Sequence, residues 1–203
     1  MSTNVIGSVD ELRRLYAEPG ERAVRKQLAR LDRHGRRFIE LSPFVVIASA
    51  GAGGMDASPR GGEPGFIRVV DEVTVAIPDA PGNNRLDTLE NLLVDSRVGL
   101  FFMIPGVDET LRVNGAARLT TDPDRLRALA SANWTPKLVI EVAVEQAYLH
   151  CAKALMRSRL WAAESQRERS VLPTIGEMLR EQIGSTDPAE SQESMLARYR
   201  RDL

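Results

Sequence analysis

The sequence predicts a mainly β, α+β protein: an antiparallel barrel of about six strands with helices attached at both ends. Three observations carry this reading. Short runs rich in β-branched and aromatic residues cluster between positions 44 and 149, separated by tight turns built from Gly, Pro and Asp. No regular alternation of strand and helix occurs there, which argues against a doubly wound parallel sheet. Apolar residues at helical spacing concentrate at the two ends of the chain. The expected divisions are an N-terminal helical extension at 1–42, a barrel domain at 43–161 and a C-terminal helical tail at 162–203.

The elements follow in order. Ser8 stands three residues before Glu11, the pattern of a capping box, and Leu12, Leu15 and Tyr16 follow at helical spacing. Pro19-Gly20 ends that helix. A second is expected over 21–31, with Val24, Leu28 and Leu31 on one face, and Gly35 interrupts before Phe38, Ile39 and Leu41. The pattern then turns to strand at Phe44-Val45-Val46-Ile47-Ala48, with a hairpin turn at Gly51-Ala52-Gly53-Gly54. A second strand starts at Asp56 and is cut short at Pro59, which has no N–H for the ladder. Strands at 66–69 and 73–77 are joined by a tight link at 70–72. A loop at 78–84 leads into a helix over 85–95, with Leu86, Leu89, Leu92 and Leu93 inward. A buried strand at 98–104 and an alternating one at 111–121 come next. Asp122-Pro123-Asp124 opens a short helix to 131. The last long strand is expected over 138–149, with Glu141 and Glu145 on the face opposite Ile140 and Val144. Two amphipathic helices, 174–182 and 190–200, end the chain.

Composition removes several chemistries. The chain has 203 residues, 27 basic and 28 acidic, for a net charge of −1. That balance gives no bulk attraction for nucleic acid. The first 42 residues carry 9 basic against 6 acidic side chains, which reads as a solvated helical collar rather than a nucleic-acid arm. Cys151, His34 and His150 are the only cysteine and histidines, too few for a cysteine–histidine zinc site of about four ligands. One cysteine allows no internal disulfide and suits a reducing cytoplasm. No apolar run reaches the roughly 20 residues of a membrane span, and no secretory signal is visible. Only three basic residues are lysines, so 24 are arginines, the group that grips phosphate and carboxylate best.

Four clusters could carry chemistry. In Asp56-Ala57-Ser58-Pro59-Arg60-Gly61-Gly62, small residues let a flat ligand approach the backbone, and Arg60 can reach a phosphate; from the segment alone, a turn with an exposed arginine is the favoured reading. In Gly82-Asn83-Asn84-Arg85, Asn84 is placed to cap the helix, and Arg85 opposes the macrodipole unless an anion joins it. Thr110, Arg112 and Asn114 share one strand face, as a ligand wall or a solvent face. Beyond His150 and Cys151, Lys153 and Arg157 are helical neighbours that repel unless an anion lies between them. Trp161, four further on, sets a planar face near that pair. Nothing in sequence supplies a base beside Cys151, and no Ser-His-Asp set or phosphate-loop motif is present.

Taken together, these segments resemble the pyridoxamine 5′-phosphate oxidase-like superfamily of FMN-binding split β-barrels. Within it they are most similar to a branch of FMN-dependent proteins of unassigned substrate. The marks are Asp56-Ala57-Ser58-Pro59-Arg60-Gly61, Gly82-Asn83-Asn84-Arg85-Leu86-Asp87-Thr88, Glu109-Thr110-Leu111-Arg112-Val113-Asn114-Gly115, and His150-Cys151-Ala152-Lys153-Ala154-Leu155 through to Leu160-Trp161. The resemblance covers 38–161. It implies FMN as cofactor, with the ring along Asp56, Ala57 and Ser58 and the phosphate at Arg60, Asn84 and Arg85. Ile77 and Pro78 would also contact the cofactor, and Thr110 would reach it from a partner subunit. It further suggests Arg112, Lys153, Arg157 and Trp161 near the ring or ribityl chain. A homodimer with FMN at the subunit boundary is implied, acting as an oxidoreductase on a small molecule.

The chain departs from pyridoxamine phosphate oxidase proper. No Arg-Leu-x-Pro-type segment follows Trp161; the chain reads Ala162-Ala163-Glu164-Ser165-Gln166 instead. Vitamin B6 oxidation is therefore not expected. A flavin supplies hydride chemistry itself, so no acid–base constellation is required. The rival readings are a non-catalytic flavin carrier, a haem carrier using His150, and a pure interaction protein.

Overall fold

The computed structural model describes residues 4–201, so the outermost residues of both expected end segments lie outside the described residues. Helices α1 (Val9–Arg13), α2 (Glu21–Arg25) and α3 (Arg33–Leu41) come first. Strands β1 (Phe44–Gly51), β2 (Gly54–Gly61), β3 (Arg68–Asp71) and β4 (Thr74–Pro78) follow. Helix α4 (Asp87–Val94) precedes β5 (Arg97–Met103) and β6 (Thr110–Thr120), and α5 (Pro123–Ala128) precedes β7 (Val139–His150). Helices α6 (Lys153–Ser158), α7 (Ile175–Ile183) and α8 (Gln192–Tyr199) complete the chain.

The strands form one antiparallel sheet in the order β2-β1-β5-β6-β7-β4-β3. Seven strands are present, correcting the expected six, and the first and last are not paired with each other among the described residues. β2 also runs through Pro59 to Gly61. The proline is tolerated because β2 is an edge strand, where its missing N–H faces no neighbour. The β1–β2 turn falls where the glycines place it, with Gly54 at φ +115°.

The inner face of the sheet holds the core. Val45, Ile47, Leu100, Phe102, Val113 and Leu111 are at most 2% exposed, each contributing roughly 1.5–3 kcal/mol on burial. Helices α3 and α4 seal this side through Ile39, Leu89 and Leu92. Gly35 does not interrupt α3; it lies inside it, taking the Asp32 cap through its N–H. A Cβ there would meet the Leu31 side chain at 3.3 Å. The second helix stops at Arg25 rather than 31, because Leu28 exchanges two backbone hydrogen bonds with Ala147 of β7 instead. Glu141, on the strand face opposite Ile140, is buried and is held by Arg118 at 2.5 Å and Arg125 at 2.7 Å.

Between Asn114 and Gly115 the β6–β7 register shifts by a bulge. Gly115 is required there, since a Cβ would sit 1.9 Å from the Ala143 carbonyl oxygen. The other face of the sheet is more open. One row across it reads Ala57, Ala48, Gly99, Asn114 and Gln146, following the strand registers.

Candidate functional site

The first group of residues gathers where β2, the end of β4 and the start of α4 meet. Alternation along β2 turns Asp56, Ser58 and Arg60 toward α4 and leaves Met55, Ala57 and Pro59 outward. The Thr88 hydroxyl donates to Asp56 Oδ2 at 2.7 Å, and the Ser58 hydroxyl donates to the same carboxylate at 2.9 Å. Arg60 donates to the Pro59 carbonyl at 3.0 Å and, at the longer distance of 3.4 Å, to Thr88 Oγ1. Among the described residues no carboxylate lies within ion-pair distance of Arg60, so its guanidinium keeps free donors. Asp79 lies just beyond β4. Burial pushes its carboxyl above the usual value, while the charges of Arg60 and then Lys137 pull it part of the way back.

The α4 entrance differs from the expected cap. The helix starts at Asp87, and its N-cap is Leu86 in the left-handed region at φ 62°, with no side-chain cap bond. Asn84 does not cap; it too is left-handed, at φ 60°. Arg85 therefore stands before the helix rather than in its first turn, and its conflict with the macrodipole disappears. Its Nε donates to Asp87 Oδ2 at 2.7 Å, a bond that firms its charge, with Asp56 adding attraction. Leu86 and Leu93, expected inward, are 47% and 75% exposed. Two left-handed non-glycine residues so close together, Asn84 and Leu86, mark a segment whose geometry is over-determined by its surroundings.

Ile77 and Pro78 are buried at the end of β4, so only their backbone can face a ligand. The sequence pointed to Arg60, Arg85, Asp56 and Ser58, and the structure brings these together. It missed Thr88 and Asp79. Thr88 is an inward helix position without a motif, and Asp79 sits in a loop whose burial no local pattern announces.

The second group lies on the open face at β6 and β7. Thr110 is opposite His150, Arg112 opposite Tyr148 and Asn114 opposite Gln146. The Asn114 amide donates to Gln146 Oε1 at 3.1 Å. Arg112 and Lys26 each stand 5.7 Å from the Tyr148 ring centre, and Lys26 also donates to the Leu149 carbonyl at 2.8 Å. Thr110 is 3% exposed and its hydroxyl has no hydrogen-bond partner. Burial lowers the His150 pKa, and Arg112 and Lys26 lower it further, all three disfavouring the imidazolium. Tyr148 and Lys26 escaped the sequence because only the strand register sets them beside Arg112.

The third expected group lies around α6. That helix ends at Ser158, with Arg159 in the left-handed region at φ 51°. Trp161 therefore stands beyond the helix that carries Lys153 and Arg157. Its Nε1 donates to the Val107 carbonyl at 2.9 Å, which fastens the post-helix segment to the β5–β6 loop just before Thr110. Lys153 and Arg157 are exposed on α6. Among the described residues no helix is long and apolar enough to cross a membrane.

The fold has counterparts among solved structures. The chain is similar to HupZ of Group A Streptococcus, with 16% identity over 59% of this chain and 93% of that one and a TM-score of 0.50. It is also similar to an FAD-binding protein of Mycobacterium smegmatis, with 16% identity over 61% of this chain and 97% of that one and a TM-score of 0.43. The first likeness supports the fold alone, and the second carries no argument. No curated protein matches. The family model described as pyridoxamine 5′-phosphate oxidase matches residues 31–151, a span that holds β1 to β7 and both groups of polar residues except Lys26. Covering more than half of the sequence, that match identifies the chain as a member of the pyridoxamine 5′-phosphate oxidase family.

Proposed function

We propose that the protein binds FMN and acts, as a homodimer in the cytoplasm, as an oxidoreductase on a small molecule other than a vitamin B6 phosphate. The observation that carries this is Arg60. It is held beside the start of α4 with no carboxylate partner, so it can meet a phosphate with two parallel hydrogen bonds. Arg85, exposed at the same entrance, adds a second positive charge.

The residues present fit the group. The phosphate would be held by Arg60 and Arg85, with Asn84 setting the loop between them. The row Ala57, Ala48 and Gly99 has no large side chain to lift a flat ring off the sheet. The unpaired Thr110 hydroxyl is a buried polar group in want of a partner. Thr110 lies three strands from β2, about 14 Å away at ordinary strand spacing. A ligand that reaches from one chain's Arg60, at the sheet edge, to another chain's Thr110 would give both groups a partner, which supports the dimer. Arg112 and Lys26 would contribute positive potential at that boundary.

FMN bound there would supply the hydride transfer itself. The protein's part is to fix the phosphate, lay the ring against β2 and screen it from water. A second reading, a non-catalytic flavin or haem carrier, rests on His150, whose surroundings favour the unprotonated imidazole that a metal would need.

The purified protein is expected to be yellow, or to take up one FMN per subunit. Arg60→Ala and Arg85→Ala are expected to weaken FMN binding at least tenfold, each losing a charged hydrogen bond of about 1.5–3 kcal/mol. Fluorescence titration measures this. A colourless protein that refuses added FMN overturns the reading. If FMN binds and neither NADH nor NADPH bleaches it without oxygen, the carrier reading replaces the enzyme.

A further inference from the structure

The two ends of the chain expose far more apolar surface than a finished molecule should. Every residue from 4 to 30 is exposed, and Val5, Ile6, Val9, Leu15 and Tyr16 are between 50% and 75% exposed. α1 and α2 are five residues long and bury nothing. Helices below about 12 residues are marginal alone, and most helical stability comes from packing. From Cys151 to Arg201 only Gly176 and Met195 are buried.

The total area says how much is uncovered. The chain exposes 14290 Å², whereas a folded monomer of 22.4 kDa should expose about 9,400 Å². The excess is about 4,900 Å² for each chain. Burying even half of it on each of two chains gives an interface of about 4,900 Å², within the range of obligate homodimers.

The position of the N-terminal arm selects the occupant. The arm leaves the body where Lys26 bonds to Leu149 and Leu28 pairs with Ala147. That is the end of β7 holding His150 opposite Thr110, the patch assigned above to the subunit boundary. We propose that residues 4–25 of each chain cross to a second copy and pack their apolar side, Val9, Leu12, Leu15 and Tyr16, on the partner. This arm exchange closes the subunit boundary around the site. The inference rests on the homodimer reading and adds the crossing arm to it.

The test uses the full-length chain. Tyr16→Cys in a Cys151→Ser background carries one benzophenone maleimide, placed at a side chain that is 68% exposed. Irradiation should give covalent dimers, with mass spectrometry mapping the label to the other copy in mixtures of isotopically light and heavy protein. In parallel, Leu12→Glu with Leu15→Glu should raise the dimer dissociation constant at least tenfold in sedimentation, with circular dichroism unchanged. Cross-links confined within one chain, with an unchanged dissociation constant, overturn arm exchange and leave the dimer standing. A monomer at 50 μM, roughly a cellular upper bound for tight association, overturns both. FMN titration of the same samples reads the flavin proposal separately.

Discussion

Asp79 is a half-buried carboxyl within the field of the Arg60 guanidinium. Its carboxyl is raised by burial, with Arg60 and Lys137 opposing. Between the ordinary value of 3.8 and the raised folded value, the native state holds more protons than the unfolded chain. Stability from this group therefore falls as pH rises through that window and stays reduced above it. Asp79→Asn should stabilise the protein at neutral pH, read as a higher denaturation midpoint. The same substitution removes a nearby negative charge that would repel a phosphate at Arg60. FMN affinity at pH 7 should tighten roughly three- to tenfold. The ratio of mutant to native dissociation constants, below one at pH 7, should rise toward one as pH falls, because both then present a neutral group. Taking the ratio cancels the ionisation of the phosphate itself. A ratio of one at every pH would place Asp79 outside the ligand's field. At this scale the sequence was half legible. Arg60 could be singled out by its type and by the small residues before it. Asp79 could not, since its role comes from burial and from a neighbour 19 positions away.

At the scale of elements, the bulge in β6 shows what a single backbone site can decide. The periodicity of 111–121 was readable, and so was Gly115 as a mark. What no periodicity contains is the register shift against β7, which brings the Ala143 carbonyl to 1.9 Å from the place of a Cβ. Gly115→Ala must push β6 and β7 apart next to Asn114 and Gln146. The expected cost is about 3 kcal/mol, at the upper end for overpacking, because the clash is with backbone rather than a flexible side chain. Denaturant titration measures it, and a loss below about 0.5 kcal/mol would mean that the bulge relaxes freely. The same limit explains α4. Its apolar residues correctly announced a helix, yet two left-handed residues before it set the start two positions late. Leucine carries no signal for that conformation, which is why Asn84 looked like the cap. Pro59 misled in the opposite direction: proline ends a central strand, but β2 is an edge, and edge position is a property of the whole sheet.

For the whole molecule, the argument turns on what one chain lacks. Arg60 stands at one edge of the sheet and Thr110 three strands away. If one FMN uses Arg60 of one subunit and Thr110 of the other, binding and association are linked. FMN then stabilises the dimer, and the dimer strengthens FMN binding by the same factor. Dilution separates this from a site complete within one chain. A self-contained site gives the same dissociation constant at 10 nM and at 10 μM protein, concentrations that span the usual range of specific dimer affinities. A shared site weakens once the protein falls below its dimer dissociation constant, and added FMN drives the sedimenting species back to the dimer. The size of the weakening reports how much of the ligand's binding comes from the second subunit. Thr110→Val should abolish most of the concentration dependence while leaving the Arg60 contribution in place, since it removes the hydroxyl but keeps the volume. Full concentration dependence in that variant would assign the partner's contribution to another group, with Arg112 the next to remove.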